Sequence, residues 1–596
     1  MNKKELEKLI TTCNKIYDSD EYKQRRKEQE RFLKYYSGKY WPEPKNDDQA
    51  KESEIFANLI FSTVMTIAPM LTDNKPIWSI RARAPHFQPL ANVYKAAGDS
   101  LWNIEDMEVK VFKLVIDALV MKNGIMQVSF DPNRNIGGEV SLEVIDPRTY
   151  FQAPGFDDNW DAPLCGTKVR RSMWWVRKMY PDKADDVKPE SSQDKGLSKA
   201  VAVVASLFTR KEDHENMVEE ADVFTVWMLD DTLIDAMDEN GEKSKKKKYP
   251  NGRIIVFTKE VVLEDKEYPY NHGKPPWVFL YDYIMPHCAF GIGEADQIEG
   301  LVLEYNLFLR RYAKHCRINS NKNWTFPASM GIDPDEFKTK MADGDNAWAL
   351  NPGDESPKQI QVQPFDQSTI QMINGLPSII QDISGVTDVS KGMASKKQRQ
   401  SAHEITALLE TSYTRTRQRV RNLEAFIKRV FTLVVELMQQ FYTEPRDFSL
   451  KNEDNDVEWA SVQNTKEFAD KTMRPSKERG QGENEEEEGV LKEQWQDYET
   501  LMKAISDEKE VQFEFEIDIE TNSTLPLDQQ AMANMAIQLA QLGHVDTLSL
   551  LEALHWPNPG RVVERLKKDA AERQAAPQRP PGSPDAMAAM MGGQNG

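Results

Sequence analysis

The hydrophobic pattern changes period several times along the chain, and each change marks an element. Leu6 to Tyr36 places apolar residues among charges at helical spacing, which predicts one amphipathic helix ended by Ser37-Gly38 and Trp41-Pro42. A second helical stretch is expected from about Phe87 to Lys122, broken by Asn123-Gly124. Short strands should follow at Ile125–Phe130 and Glu139–Ile145, around an Asp131-Pro132-Asn133 turn. From Val223 to Ile284 the pattern is strand-rich: VFTVWML, RIIVFT, VVLE and WVFLYDYI. The lysine run Lys243 and Lys245 to Lys248 falls between the first two strands, where a solvated hairpin loop is expected. This half reads as mixed α+β without a parallel βαβ rhythm.

The middle of the chain is more helical. Ile298, Leu301, Val302, Tyr305, Phe308 and Tyr312 form one apolar stripe on a helix from about Glu294 to Cys316. A segment with strand-like pieces (NWTFPAS, NAWAL, IQVQPF) follows over Asn319–Gln363, then a shorter helix carrying Ile370, Ile373, Leu376, Ile380 and Ile383. Pro377 should kink or break that helix near Ile373, since proline removes an internal hydrogen bond. A polar loop, Gly385 to Gln400, leads to the strongest helix, His403 to Phe441. It opens on the capping-box pattern Ser401-Ala-His-Glu404 and is stopped by Glu444-Pro445. Such a helix would span roughly 58 Å at 1.5 Å per residue, more than an ordinary core needs. It suggests an elongated subunit or an assembly. Further on, strands are expected near Asp447–Leu450 and at Val511–Glu520, and helices at Asp528–Leu542, Thr547–Ala553 and Pro559–Lys568. Glu483 and Glu485 to Glu488 read as a solvated insertion. The last 26 residues hold four Pro and four Gly, the composition of a disordered tail.

Composition narrows the function. At 596 residues the chain exceeds a single core, and 39% hydrophobic residues exclude wholesale disorder. With 76 Lys+Arg against 96 Asp+Glu the net charge is −20, which excludes a general basic coat for nucleic acid. Cys13, Cys165, Cys288 and Cys316 are scattered, against both a disulfide framework and a zinc site. The N-terminal MNKKELEKLI carries charges where a signal peptide needs an apolar run, and Val109–Met121 is too short and too charged to span a bilayer. The expected place of synthesis is cytoplasm.

No catalytic constellation emerges. There is no phosphate-binding G-x-x-x-x-G-K-[ST] loop, H-E-x-x-H or G-x-S-x-G. Gly291-Ile-Gly293-Glu-Ala-Asp296 has Asp where a dinucleotide fingerprint needs glycine, and reads instead as a flexible helix entry. In Asp131-Pro-Asn133-Arg-Asn135 a calcium loop lacks its glycine at Ile136 and its glutamate at Leu142. No metal or cofactor is implied. One charge feature departs from the acidic background. Between Lys391 and Arg429 lie ten basic residues against Glu404, Glu410 and Glu424, so this stretch is 10 − 3 = +7. For its arginines the plain reading is a helix face paired with acidic neighbours. Lys391, Lys396, Lys397 and Arg399, on the polar loop, could touch phosphates without base readout.

The order of these elements carries a resemblance. GIGEADQIEGLVLEYNLFLRRYAKHCRINS leads into a small αβ segment, a second helix ends in DISGVTDVSKGMASKKQRQSA, and the long helix reads HEITALLETSYTRTRQRVRNLEAFIKRVF. FEFEIDIETNSTLPLDQQAMANMAIQLAQLG stands near the C-terminus. This resembles the portal proteins, or head-to-tail connectors, of tailed double-stranded DNA bacteriophages, of the podovirus-like type. The resemblance implies an elongated, mainly helical α+β subunit in a ring of twelve. It places a wing at 1–290, stem helix 1 at 291–318, a clip at 319–365 and stem helix 2 at 366–384. A tunnel loop at 385–402, a long helix at 403–442, a second wing part at 443–524 and a helical crown at 525–570 follow, with the tail at 571–596. The acidic insertion 472–490 matches no element of the family.

Its further implications are a DNA channel at one capsid vertex of the virion, no enzymatic activity, and no membrane. The implied partners are a terminase motor, the major capsid and scaffolding proteins, and tail adaptor proteins. Trp324, Phe326 and Trp348 would lie in the clip as partner-docking candidates. A mostly acidic wall with a few loop cations suits DNA that must slide, because each neutralised phosphate adds affinity and drag. Two alternatives stay open at this point: a metal-dependent nucleic-acid enzyme with scattered carboxylates, and another structural ring of the head–tail junction.

Overall fold

In the computed structural model of the chain the described residues are 3–41, 55–73, 75–83, 88–135, 137–188, 220–237, 243–320, 323–325, 358–360, 364–386, 402–443, 446–451, 457–462 and 515–519, with single positions at 333, 335 and between 537 and 568. The first expected helix is two, α1 (Lys3–Tyr17) and α2 (Asp20–Tyr36), because Ser19 is extended between them. α2 buries Tyr22, Arg25, Gln29 and Phe32. Half of that face is polar, which is why apolar spacing alone did not separate the pair. Helix α3 spans Leu59–Thr72, and β1 spans Trp78–Ala82.

The second expected helix is also divided, into α4 (Gln88–Ile104) and α5 (Met107–Met121). Asp106 between them is left-handed at φ 48°. The cause lies beside it: Glu105 turns inward, its carboxylate binding both Lys110 and Arg134. After α5, Lys122 is again left-handed and the chain enters β2 (Asn123–Asp131). Asn123-Gly124 thus starts a strand as well as ending a helix. β2 is the centre of an antiparallel sheet ordered β3 (Glu139–Ile145), β2, β9 (Trp277–Tyr281).

A second sheet is antiparallel throughout, in the order β4 (Tyr150–Gln152), β5 (Leu164–Ser172), β6 (Glu220–Met237), β7 (Lys243–Phe257), β8 (Val262–Glu267). Short helix α6 (Met173–Met179) follows β5 directly. The lysine run is strand rather than loop, since Lys243 pairs with Met237 and Lys245 with Asp235. Asp235 opposite Lys245, and Asp231 at 2.7 Å from Lys247, support that extension with opposite charge.

Helix α7 covers Glu294–Ser320 and helix α8 covers Gln367–Ser384. Between them the short strands β10 (Asn323–Thr325) and β11 (Lys358–Ile360) pair antiparallel. The long helix is observed as α9, Ala402–Phe441. The expected strand near Asp447 is β12 (Arg446–Lys451), paired with β13 (Val457–Val462), which the sequence reading did not single out. Phe515–Ile519, within the expected C-terminal strand, is β14 and pairs with β1. The rest of that expected strand, the C-terminal helices, the acidic insertion and the tail are outside the described residues, apart from single helical positions.

The core centres on α9. Val420, Leu423, Phe426, Ile427, Val430, Phe431, Val434 and Leu437 are all buried, so this half of the helix is enclosed on most sides rather than along one stripe. The Phe431 ring lies 4.2 Å from that of Trp78. Gly98 on α4 makes room, since a Cβ there would sit 2.2 Å from the Trp78 ring. Sheet, helix and the C-terminal strand therefore share one core, and α7 and α8 are rooted in it.

Candidate functional site: a projecting helix pair and its buried anchor

Helices α7 and α8 pack against one another, and Phe365, just before α8, stacks edge-on with Tyr312 and His315 near the end of α7. The pair is therefore an antiparallel hairpin of helices. Burial grades along it. In α7, Ala295, Ile298, Val302 and Asn306 are buried, whereas Arg311, Tyr312, Lys314, Arg317 and Ile318 are exposed. In α8 the buried positions are Leu376, Ile380 and Ser384, in the half nearest the body. The far half of each helix projects from the core.

Proline does not break α8. The helix runs unbroken from Gln367 to Ser384 with Pro377 inside it, and Gly385 ends it in a left-handed conformation. Leu376 and Ile380, one before the proline and three after, anchor that turn in the core, where packing outweighs the lost hydrogen bond. The Gly375 Cα faces open space. No charged residue occurs on α8 between Asp366 and Asp382, and Met372 and Ile379 are 54% and 47% exposed.

The root of α7 is built from sequence-distant pieces. After β9 the chain turns back through a Tyr283–Ile292 bridge, with N–H···O distances of 3.1 and 2.9 Å. Gly291 donates to Asn123 Oδ1 at 3.1 Å. A Cβ at Gly293 would lie 2.7 Å from the Leu119 carbonyl oxygen, so this glycine is a packing requirement. The expected flexible entry is instead a tight one. Asn306, wholly buried, accepts from Ala57 N–H at 2.7 Å and donates to the Ala57 carbonyl at 3.2 Å, binding the segment before α3 to α7.

At the first residue of α7 stands Glu294, with no exposed side-chain surface, ion-paired to Arg419 of α9. The Arg419 Nε lies 2.8 Å from Asp282 Oδ1, an ion pair not aligned as a hydrogen bond. Tyr283 donates to Glu294 Oε2 at 3.3 Å. Arg419 and Asp282 are 2% and 1% exposed, so one guanidinium serves two buried carboxylates. Burial, the largest influence, pushes the Asp282 carboxyl up to about 7; Arg419 pulls it down and Glu294 pushes it up. The same carboxylates raise Arg419 above its ordinary value despite its burial. A second clasp joins the far end of α9 to β3: Arg446 lies 3.2 Å from Glu139, which also accepts from Tyr442.

The profile of the phage P22-like portal protein family matches residues 16–595 of the chain. The chain belongs to that family. Among curated proteins nothing matches it. Phage portal proteins are structural components of the virion, not enzymes in general. Among the described residues no three or more His, Cys, Asp or Glu side chains gather where they could hold a metal ion, and no helix is long and apolar enough to cross a membrane.

In this portal-family chain the basic stretch divides. Arg419 is consumed by the anchor, and Arg429 lies 2.7 Å from Asp158, so for these two the paired-face reading holds. Lys391, Lys396, Lys397 and Arg399 lie outside the described residues, as do Phe326 and Trp348. Trp324 is on β10, opposite Gln359 of β11. Sequence reasoning missed the anchor. Arg419 was one of ten cations, and Glu294 and Asp282 carried no signal because each partner comes from a different segment.

Proposed function

We propose that the chain assembles as a closed ring of twelve copies at one vertex of the phage capsid, around a channel for double-stranded DNA. DNA enters through it during packaging and leaves through it on ejection. The observation that supports this reading is the projecting α7–α8 pair, with the 40-residue helix α9 as the next described element, in a chain matched by the portal family over residues 16–595. In the ring, α7 and α8 form the stem and residues 319–365 the clip. The polar, uncharged side of α8 suits a wall along which phosphates pass without being held.

The loop after α8 carries the DNA-contacting cations, Lys391, Lys396, Lys397 and Arg399. Trp324, Phe326 and Trp348 belong to the clip, where terminase docks during packaging and tail adaptors afterwards. Capsid and scaffolding proteins contact the wing, and the crown lies beyond α9. Negative-stain electron microscopy of the purified protein tests the ring: closed particles with a central hole are expected, and monomers at all concentrations would refute it. Replacing Lys396, Lys397 and Arg399 with alanine should leave rings intact and change DNA retention or packaging; unchanged packaging and retention would remove the loop assignment.

A further inference from the structure

Strands β6 and β7 outrun the sheet they belong to. β5 accompanies β6 only as far as Leu229, whose N–H meets the Pro163 carbonyl at 2.9 Å. β8 accompanies β7 from Phe257 back to Gly252, where Tyr268 N–H meets the Gly252 carbonyl at 3.0 Å. Beyond these points residues 230–237 and 243–249 continue as a ribbon of two strands, about 23 Å long at 3.3 Å per residue. Register shifts between Met228 and Asp230 and between Asp230 and Leu233 mark where it leaves the sheet, beside Gly252 at φ 92°. Among the described residues no other strand borders either edge of the ribbon.

The two edges carry opposite charge. The β6 side of the ribbon holds Asp230, Asp231 and Asp235 and no cation; the β7 side holds Lys243 and Lys245 to Lys248 and no acid. Asp230 turns to Arg253 at the base of the ribbon, 3.1 Å away, and Asp231 reaches Lys247 with its side chain still 81% exposed. Three aspartates do not balance five lysines, so the β7 edge keeps an excess of positive charge. A solvated hairpin tip is a poor account of such a ribbon. Two strands alone are marginal in water, and Leu229 and Leu233 are 47% and 54% exposed here. Edge charges do keep like sheets apart. In this ribbon they are sorted by strand, so β7 repels β7 and β6 repels β6, while β7 beside β6 is attractive.

We propose that the ribbon pairs edge to edge with the same ribbon of a neighbouring copy, the lysine edge of β7 against the aspartate edge of β6. The contact is heterologous. Each copy offers one edge to either side, as ring closure demands, whereas a two-fold dimer would set lysine against lysine. Copies in a ring of twelve differ by about 30°, so neighbouring ribbons point nearly the same way and β7 meets the next β6 antiparallel, as it meets its own. The outward N–H and C=O groups of both edges then find partners, and the excess lysines of one hairpin gain a second row of aspartates. The inference rests on the ring reading above and names one contact by which that ring closes.

The test uses the full chain in three forms besides wild type: Lys245→Glu/Lys247→Glu, Asp231→Lys/Asp235→Lys, and all four changes together. Rings are counted by negative-stain microscopy against protein concentration, with an affinity tag on the first form only. Each double variant alone sets like charges edge to edge and should need at least about tenfold more protein to form rings. Mixed in equal amounts, the two should form rings at the wild-type concentration, and the tag should retain the untagged form. Mixing leaves each hairpin internally mismatched, so that recovery reports pairing between copies. The chain with all four changes should also assemble. Double variants that form rings as readily as wild type would overturn the proposal and leave the ring reading in place. So would recovery in the four-change chain but not in the mixture, which would confine these charges to their own hairpin. Loss of rings in every variant, mixture included, would overturn it by assigning the edges to another segment or partner. Absence of rings from the wild type would remove the ring reading itself, and this pairing with it.

Discussion

Arg419 holds two carboxylates that have been taken out of water, so its removal is worse than the loss of a contact. Two buried acids would lose their cation, and breaking such a cluster from one side costs about 3–5 kcal/mol. Arg419→Met should lower the urea midpoint accordingly, while Arg419→Met with Asp282→Asn and Glu294→Gln should recover much of the loss. The sign of the pH effect follows from Asp282. Its folded-state pKa of about 7 lies above the roughly 3.9 of an unfolded aspartate, so between these values the folded state holds the extra proton. Its contribution is fully present below pH ~4 and lost as pH rises through about 7. Melting temperatures of Asp282→Asn should therefore fall less than those of wild type over that window; parallel curves would show that Asp282 does not titrate there. None of this was legible in the sequence, because a buried ion cluster is a property of three meeting segments. By contrast Arg429 was read correctly as a paired helix cation, though not its partner Asp158.

At the scale of elements, periodicity found the helices and missed the breaks inside them. α7, α8 and α9 were legible because each repeats apolar residues at helical spacing over many turns. α1/α2 and α4/α5 each merged into one because the interruption is a local conformation, an extended Ser19 and a left-handed Asp106, at residues that are themselves compatible with helix. The same distinction between local preference and packing separates two glycines. Gly293→Ala would push a methyl against the Leu119 carbonyl at the root of α7, and backbone must move; a loss of about 1–3 kcal/mol is expected in denaturant melts. Gly375→Ala meets nothing and replaces glycine within a helix, so a gain of about 0.5–1 kcal/mol is expected. If both changes destabilised equally, the difference between the rooted and the projecting ends of the pair would be lost.

At the scale of the whole molecule, the core is closed by its last described strand. β14 supplies the partner of β1 in the register Ile80↔Ile517, and Ile517 is buried in the same core as Trp78 and Phe431. Arg81 and Asp518 add a surface ion pair at 2.8 Å, which contributes little by itself. Without β14, the inner face of β1 and part of α9 would meet water, and β1 would be left as an unpaired five-residue strand. A chain ending at Glu514 should therefore melt lower and less cooperatively than one ending at Asn522, which should match the full-length body. Limited proteolysis should cut the shorter chain near residues 74–87 and spare the longer one. The pairing also makes folding non-local: β1 waits for a strand that arrives from near the other end of the sequence, and closing so long a loop is slow. Refolding should accordingly show a late phase in which Trp78 becomes protected, present in the chain ending at Asn522 and missing from the chain ending at Glu514. Equal protection of Trp78 in both would mean that the helices alone complete the core, and that β14 is an addition to a fold already closed.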